Sequence, residues 1–166
     1  MSRRQINADE LDFLFREIGK SIWYLQYVEE ALSTFIALKR DIKTRGSKSA
    51  EEAKVILTKH QLNTLGTSLR FSREAGILSP ALQSRLEIFK SERDWLVHRL
   101  QQSRKDLYED TTRFALLHRI GEFCVEALSL QKAVTLEMQE FVVSLGVDAA
   151  WIEARAQKEI SDLRGA

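Results

Sequence analysis

LDFLFREIGKSIWYLQYVEEALSTFIALKRDI, residues 11–42, sets Leu11, Leu14, Ile18, Leu25, Val28, Leu32, Phe35 and Ile42 at intervals of three, four or seven. An α-helix turns once in 3.6 residues, so these side chains form one apolar stripe on a long amphipathic helix. Only Ser21 and Lys39 interrupt it. Asn7 or Asp9 supplies a capping oxygen at its start. Arg45-Gly46-Ser47 ends it, with basic residues in the last turn and glycine just beyond, which puts the first loop near residues 44–49.

The same signals recur outward from that helix. Ser49-Ala-Glu-Glu52 reads as a capping box opening a second helical stretch that closes at Glu74-Ala-Gly76, with Asn63 and Gly66 as points of bending. Ser79-Pro80 caps and starts a third helix, with Leu82, Leu86, Phe89 and Leu96 facing inward. Polar residues Gln101–Asp106 mark a break before a fourth helix over about 107–145. Gly146-Val-Asp148 then stops the chain and recaps it for a short helix from Ala149 to about Arg164. The fold expected is all-α: one domain, residues 1–166, an up-down bundle of four main helices plus a short C-terminal one. Helices this long in a chain this short are explained by protruding ends or by a partner helix, as in a homodimer.

Composition agrees. Hydrophobic residues are 44% and charged residues 30%, in the globular range, and seven Gly with one Pro leave little material for the many tight turns of a β-sandwich or barrel. No apolar run approaches the ~18 residues that span a bilayer, no secretory leader pattern stands at residues 1–10, and the single Cys124 has no partner for a disulfide; no membrane and a cytoplasmic location are the expectations.

Several chemistries lack their residues. There is no GxGxxG and no GxxxxGK[ST], so no glycine-rich phosphate loop. The residues three before His60, His98 and His118 are Leu57, Trp95 and Ala115, so the Glu-x-x-His pairs of di-iron bundles are missing, as is any zinc-type Cys/His spacing. No metal and no cofactor are expected. Cys124 reads as a small buried hydrophobe, and Trp95 and Trp23 as core or interface anchors rather than base-stacking platforms.

What remains is Glu92-Arg-Asp-Trp-Leu-Val-His-Arg99, with Arg93, a polar Asp94 directly after it, and His98 five positions beyond the Arg. On an α-helix Asp94 and His98 lie one turn apart on the same face, where the carboxylate orients the imidazole or raises its pKa, whereas Arg93 lies about 140° round from His98. One helix then converges Arg93 and His98 poorly, and two copies of the helix across a two-fold axis would build a fuller site. Taken alone, such a group is also an ordinary solvated ion-pair face.

The stretch resembles the Arg-polar-x-x-x-His signature of HEPN domains, small all-α proteins, many of them metal-independent endoribonucleases or toxin–antitoxin components; the long outer helices and the motif on the third fit as well. Arg113 and His118 repeat the spacing, but Phe114 stands where the family has a polar residue, and this second occurrence is set aside. The resemblance implies a composite homodimer site with Arg93, Asp94 and His98 as catalytic residues. It also implies an RNA substrate, and a possible antitoxin or nucleotidyltransferase partner. Members modified by such a transferase carry a Tyr two residues after the motif His, where this chain has Leu100, although Tyr108 lies downstream.

The chemistry suits these residue types. RNA cleavage without metal needs a base for the 2′-hydroxyl, an acid for the leaving 5′-oxygen and a cation on the phosphorane; His does the first two near neutrality and Arg the third. Net charge +1 gives no global attraction to a polyanion, so phosphate contacts fall to local groups. Arg99, Arg104 and Lys105 follow the motif and are the RNA-binding candidates; Lys39, Arg40, Lys43, Arg45 and Lys48 gather at the first loop. The alternative function is a non-catalytic regulatory or scaffolding module that binds nucleotide or a partner protein.

Overall fold

The computed structural model describes residues 6–100 and 107–164, and among them every regular element is helical. Six α-helices follow one another: α1 Ala8–Ile36, α2 Ala50–Gln61, α3 Leu65–Ala75, α4 Pro80–Asp94, α5 Asp110–Ser144 and α6 Ala149–Arg164. π-helical turns extend α1 over Ala37–Ile42 and α4 over Trp95–Arg99. None of these helices is long and apolar enough to cross a membrane.

The caps are where the sequence places them. Asn7 accepts from Glu10 N at 2.9 Å while Glu10 accepts from Asn7 N at 3.1 Å, which resolves the choice between Asn7 and Asp9. Ser49 and Glu52 form the second capping box, and Ser79 caps α4 with Pro80 in its first turn. Asp148 Oδ1 accepts from Ala150 N at 2.9 Å at the start of α6.

The stretch after the first loop departs from expectation. It is two helices rather than one bent helix, because Thr64 starts a new one by accepting from Thr67 N at 3.3 Å. Gly66 is not the hinge. It lies inside α3, where a Cβ would stand 2.9 Å from Cε of Lys90, so its bareness lets the Lys90 stem cross α3. The end of α1 also differs: the chain reverses at Lys43 (φ 62°), three residues before Gly46. Thr44 N donates to Ile42 O at 2.7 Å, closing a three-residue turn that is strained for any side chain. Lys43→Gly is expected to stabilise the fold by about 1 kcal/mol in urea titration; a loss of stability would mean the turn is unstrained.

α1 and α5 are the paired spine, and α3 and α4 close over them. Leu32, Phe35 and Ile36 from α1, Leu65 and Leu69 from α3, Leu86 and Phe89 from α4, and Ile120, Leu130 and Val134 from α5 make the centre of the core. Phe89 and Phe123 stack at 4.6 Å. Both interruptions of the α1 stripe are satisfied: Ser21 Oγ donates to Ile18 O at 2.6 Å, and Lys39 Nζ donates to Ile77 O at 2.6 Å while lying over the Phe35 and Phe141 rings. Cys124 is buried as expected, and burial pushes its thiol up, away from thiolate chemistry. α5 contributes no buried residue after Val134, and α6 contributes none.

Candidate active site

α4 is anchored by Phe89 and Leu96 in the core, and between them its backbone changes from α to π. A ladder closed at i+5 turns less per residue than one closed at i+4, so residues five apart come nearer to one face. The pair that straight α geometry separates is therefore joined. Arg93 Nη1 stands 3.5 Å from His98 Nε2 within one chain. A guanidinium only donates, so a hydrogen bond between the two takes Nε2 as its acceptor.

Asp94 does not face His98. It accepts from Lys90 Nζ at 2.8 Å and from Arg93 Nη1 at 3.2 Å. The hydrogen bond from Lys90, joined by that from Arg93, holds the Asp94 carboxyl below its usual range. Its contacts are with Arg93, one of the two motif side chains that an Asp at this position can orient, and with Lys90. The same change of turn explains why Asp94 does not face the imidazole, since unwinding after Asp94 carries His98 towards Arg93.

Lys90 and Glu29 were not singled out by the sequence. Lys90 had a signal, being four residues before Asp94 on a helix. Glu29 had none, because it arrives from α1, with Oε1 4.0 Å from Arg93 Nη2. Arg93 is only 21% exposed, and its Nε is buried without a partner. Burial pushes the Glu29 carboxyl up from its usual value by more than Arg93 pulls it down. A carboxyl whose pKa is higher folded than unfolded favours folding fully below the unfolded value, about 4.3, and loses that contribution as pH rises through the folded value. Glu29→Gln is therefore expected to melt higher than the parent at pH 7, the gap closing below about pH 4; an equal gap at both pH values would refute this.

The flanking residues divide into tied and free. Glu92 takes a two-pronged contact from Arg119, at 2.8 and 3.0 Å, and the Arg119 guanidinium lies 3.6 Å over the Trp95 ring. Trp95 is thus half-buried against α5. Trp23 is not in the core: it stands 59% exposed on α1 and donates from Nε1 to Tyr27 Oη at 2.6 Å. Arg99 is exposed at the end of the π turn, and Arg104 and Lys105 lie outside the described residues.

In the first-loop group, Lys39 is committed to Ile77 O and Arg40 stacks 4.5 Å over Phe71, while Lys43, Arg45 and Lys48 are exposed. The remaining histidines stand apart from the motif. His60 is buried, its Nε2 2.5 Å from Asp41 Oδ2, and the exposed His118 pairs with Glu122. Arg113, from the repeated spacing, is buried and pairs with Asp110, and it also donates to Leu107 O at 2.6 Å. No three His, Cys, Asp or Glu side chains among the described residues gather in a metal-binding group.

The arrangement presents one imidazole whose Nε2 faces a guanidinium, with one ammonium beside them, the two cations held by a shared carboxylate. No protein-family model, curated protein or solved structure matches the chain.

Proposed function

We propose that this chain is a metal-independent endoribonuclease of HEPN type, acting as a homodimer, with α1, the α2–α3 pair, α4 and α5 as the up-down bundle. The observation that carries the reading is the π turn, which sets His98 Nε2 3.5 Å from Arg93 Nη1 at an exposed helix end. π turns of this kind are frequent at functional sites.

Once Arg93 turns from it to the phosphate, His98 Nε2 takes the proton of the 2′-hydroxyl, the 2′-oxygen attacks phosphorus, and the 5′-oxygen leaves with a proton from the partner's His98, which enters the step as imidazolium. Arg93 grips the non-bridging oxygens as charge builds on them, with Asp94 keeping it and Lys90 in place. The products are a 2′,3′-cyclic phosphate and a 5′-hydroxyl. Arg99, with Arg104 and Lys105, contacts flanking phosphates. A toxin or defence role in the cytoplasm, restrained by an antitoxin or nucleotidyltransferase partner, suits such an activity.

One observation favours a second reading. Arg93 is mostly buried and its guanidinium faces Asp94 and Glu29, as in an ion-pair network of a non-catalytic regulatory or scaffolding module. Incubating the purified protein with total RNA in excess EDTA separates the two. The expected result is fragmentation with cyclic phosphate ends and no attack on DNA; intact RNA in the presence of folded dimer would overturn the catalytic reading.

A further inference from the structure

Beside Arg93, the outer side of α1 carries features that the cleavage chemistry does not use. Gln26, Glu29, Glu30 and Ser33, with Gln61 from the end of α2, line a cavity of about 350 Å³. Every lining side chain carries a hydrogen-bonding group, and none is a cation. One turn back along α1 are Trp23, 59% exposed, and Tyr27, 40% exposed. Their rings stand at 80° to one another with centroids 6.1 Å apart, held by the Trp23 Nε1 to Tyr27 Oη hydrogen bond. Residues 23, 26 and 29 form one i+3 row on α1, which rises roughly 9 Å at ~1.5 Å per residue while winding about 120° round the axis. Aromatic planes, edge-reading amides and carboxylates, and a phosphate-gripping guanidinium therefore follow one another along one track.

We infer that this face of α1 holds the unpaired bases of a single-stranded RNA: one base stacks on Trp23, and the Gln26–Glu29–Glu30 cavity reads the edge of the base beside the phosphate held by Arg93. The inference rests on the cleavage reading above for which phosphate is cut. Two carboxylates repel a phosphate, so the sugar-phosphate backbone runs over Arg93 and Lys90 and the base turns towards α1. A carboxylate accepts from exocyclic amino groups, as on cytosine N4, and uracil offers none. The preferred base is one carrying an amino group. Burial that lifts the Glu29 carboxyl fits a group whose donor arrives with the ligand. Single-stranded recognition follows because bases stack on aromatic side chains only when free of a duplex.

The test uses the His98→Ala protein, so that RNA survives, and ten-nucleotide oligo(C) and oligo(U) carrying a fluorophore, read by anisotropy. Oligo(C) is expected to bind about tenfold more tightly than oligo(U). Adding Glu29→Leu, which removes the acceptor, should erase that preference, and adding Trp23→Ala should weaken oligo(C) about tenfold, in line with the worth of one stacked base. Equal binding of the two oligomers, a preference that survives Glu29→Leu, or indifference to Trp23→Ala would overturn the inference. So would Trp23→Ala leaving RNA binding unchanged but dissociating the dimer, which would make the aromatic pair a protein interface. Cleavage of RNA in EDTA by the parent without base preference would leave the ribonuclease reading standing and remove this one; base-selective binding without cleavage would do the reverse.

Discussion

His98→Ala is expected to lower the rate of RNA cleavage about 10²- to 10⁴-fold, the usual worth of a positioned general acid or base, with helix content and oligomeric state unchanged. The side chain lies on the exposed side of the π turn, while its neighbour Leu96 is in the core, so removing the imidazole takes nothing from the packing. Cleavage in EDTA followed beside circular dichroism and sedimentation checks it. A loss of less than tenfold in a folded dimer would take His98 out of the chemistry. Arg93→Lys is the companion measurement, since it keeps the positive charge and loses the planar fork that holds two phosphate oxygens at once.

Phe35→Ala is expected to cost about 3–5 kcal/mol, a large share of the ~5–15 kcal/mol that holds a domain of this size folded. Phe35 is 1% exposed where α1 meets α5; its ring centroid is 6.1 Å from that of Phe141, and Lys39 Nζ lies 5.5 Å from its centroid. Truncation would leave a void between the two longest helices and take the apolar floor from beneath a lysine that reaches Ile77 O. Equilibrium unfolding in urea measures it, and a cost under about 1 kcal/mol would mean that Phe141 and Lys39 close the void.

Most of the helical frame is legible in the sequence. The α1 stripe is a periodicity carried along one segment, and the Ser49–Glu52 box, the Ser79-Pro80 start and the recapping at Asp148 are local rules, each satisfied within four residues. Thr64 carries only a weak signal, a single threonine cap beside Asn63 and Gly66, and tertiary packing decides between a bend and a break. Gly66 looked like a flexible point, yet its reason is the Lys90 stem that crosses it, a contact between distant residues that no local rule foresees. Arg93 and His98 were legible as residue types but not as a pair. Their meeting depends on the π turn, for which the stretch Trp95–Arg99 carries no pattern, and Glu29 depends on how α1 lies against α4.

The π turn at Trp95–Arg99 also makes the motif tolerant of changes in chain length. On a regular α-helix residues four apart stand about 40° from one another, so an Arg and a His with three residues between them already face the same way. Insert one more residue and an α-helix would swing the His aside, unless the extra residue is taken up in a widened turn, as here. The spacings of four and of five are therefore one constellation written in two helix types. A single-residue deletion at Val97 that restores the regular ladder would therefore keep Arg93 opposite the imidazole and leave His98 and Arg99 in register with α4.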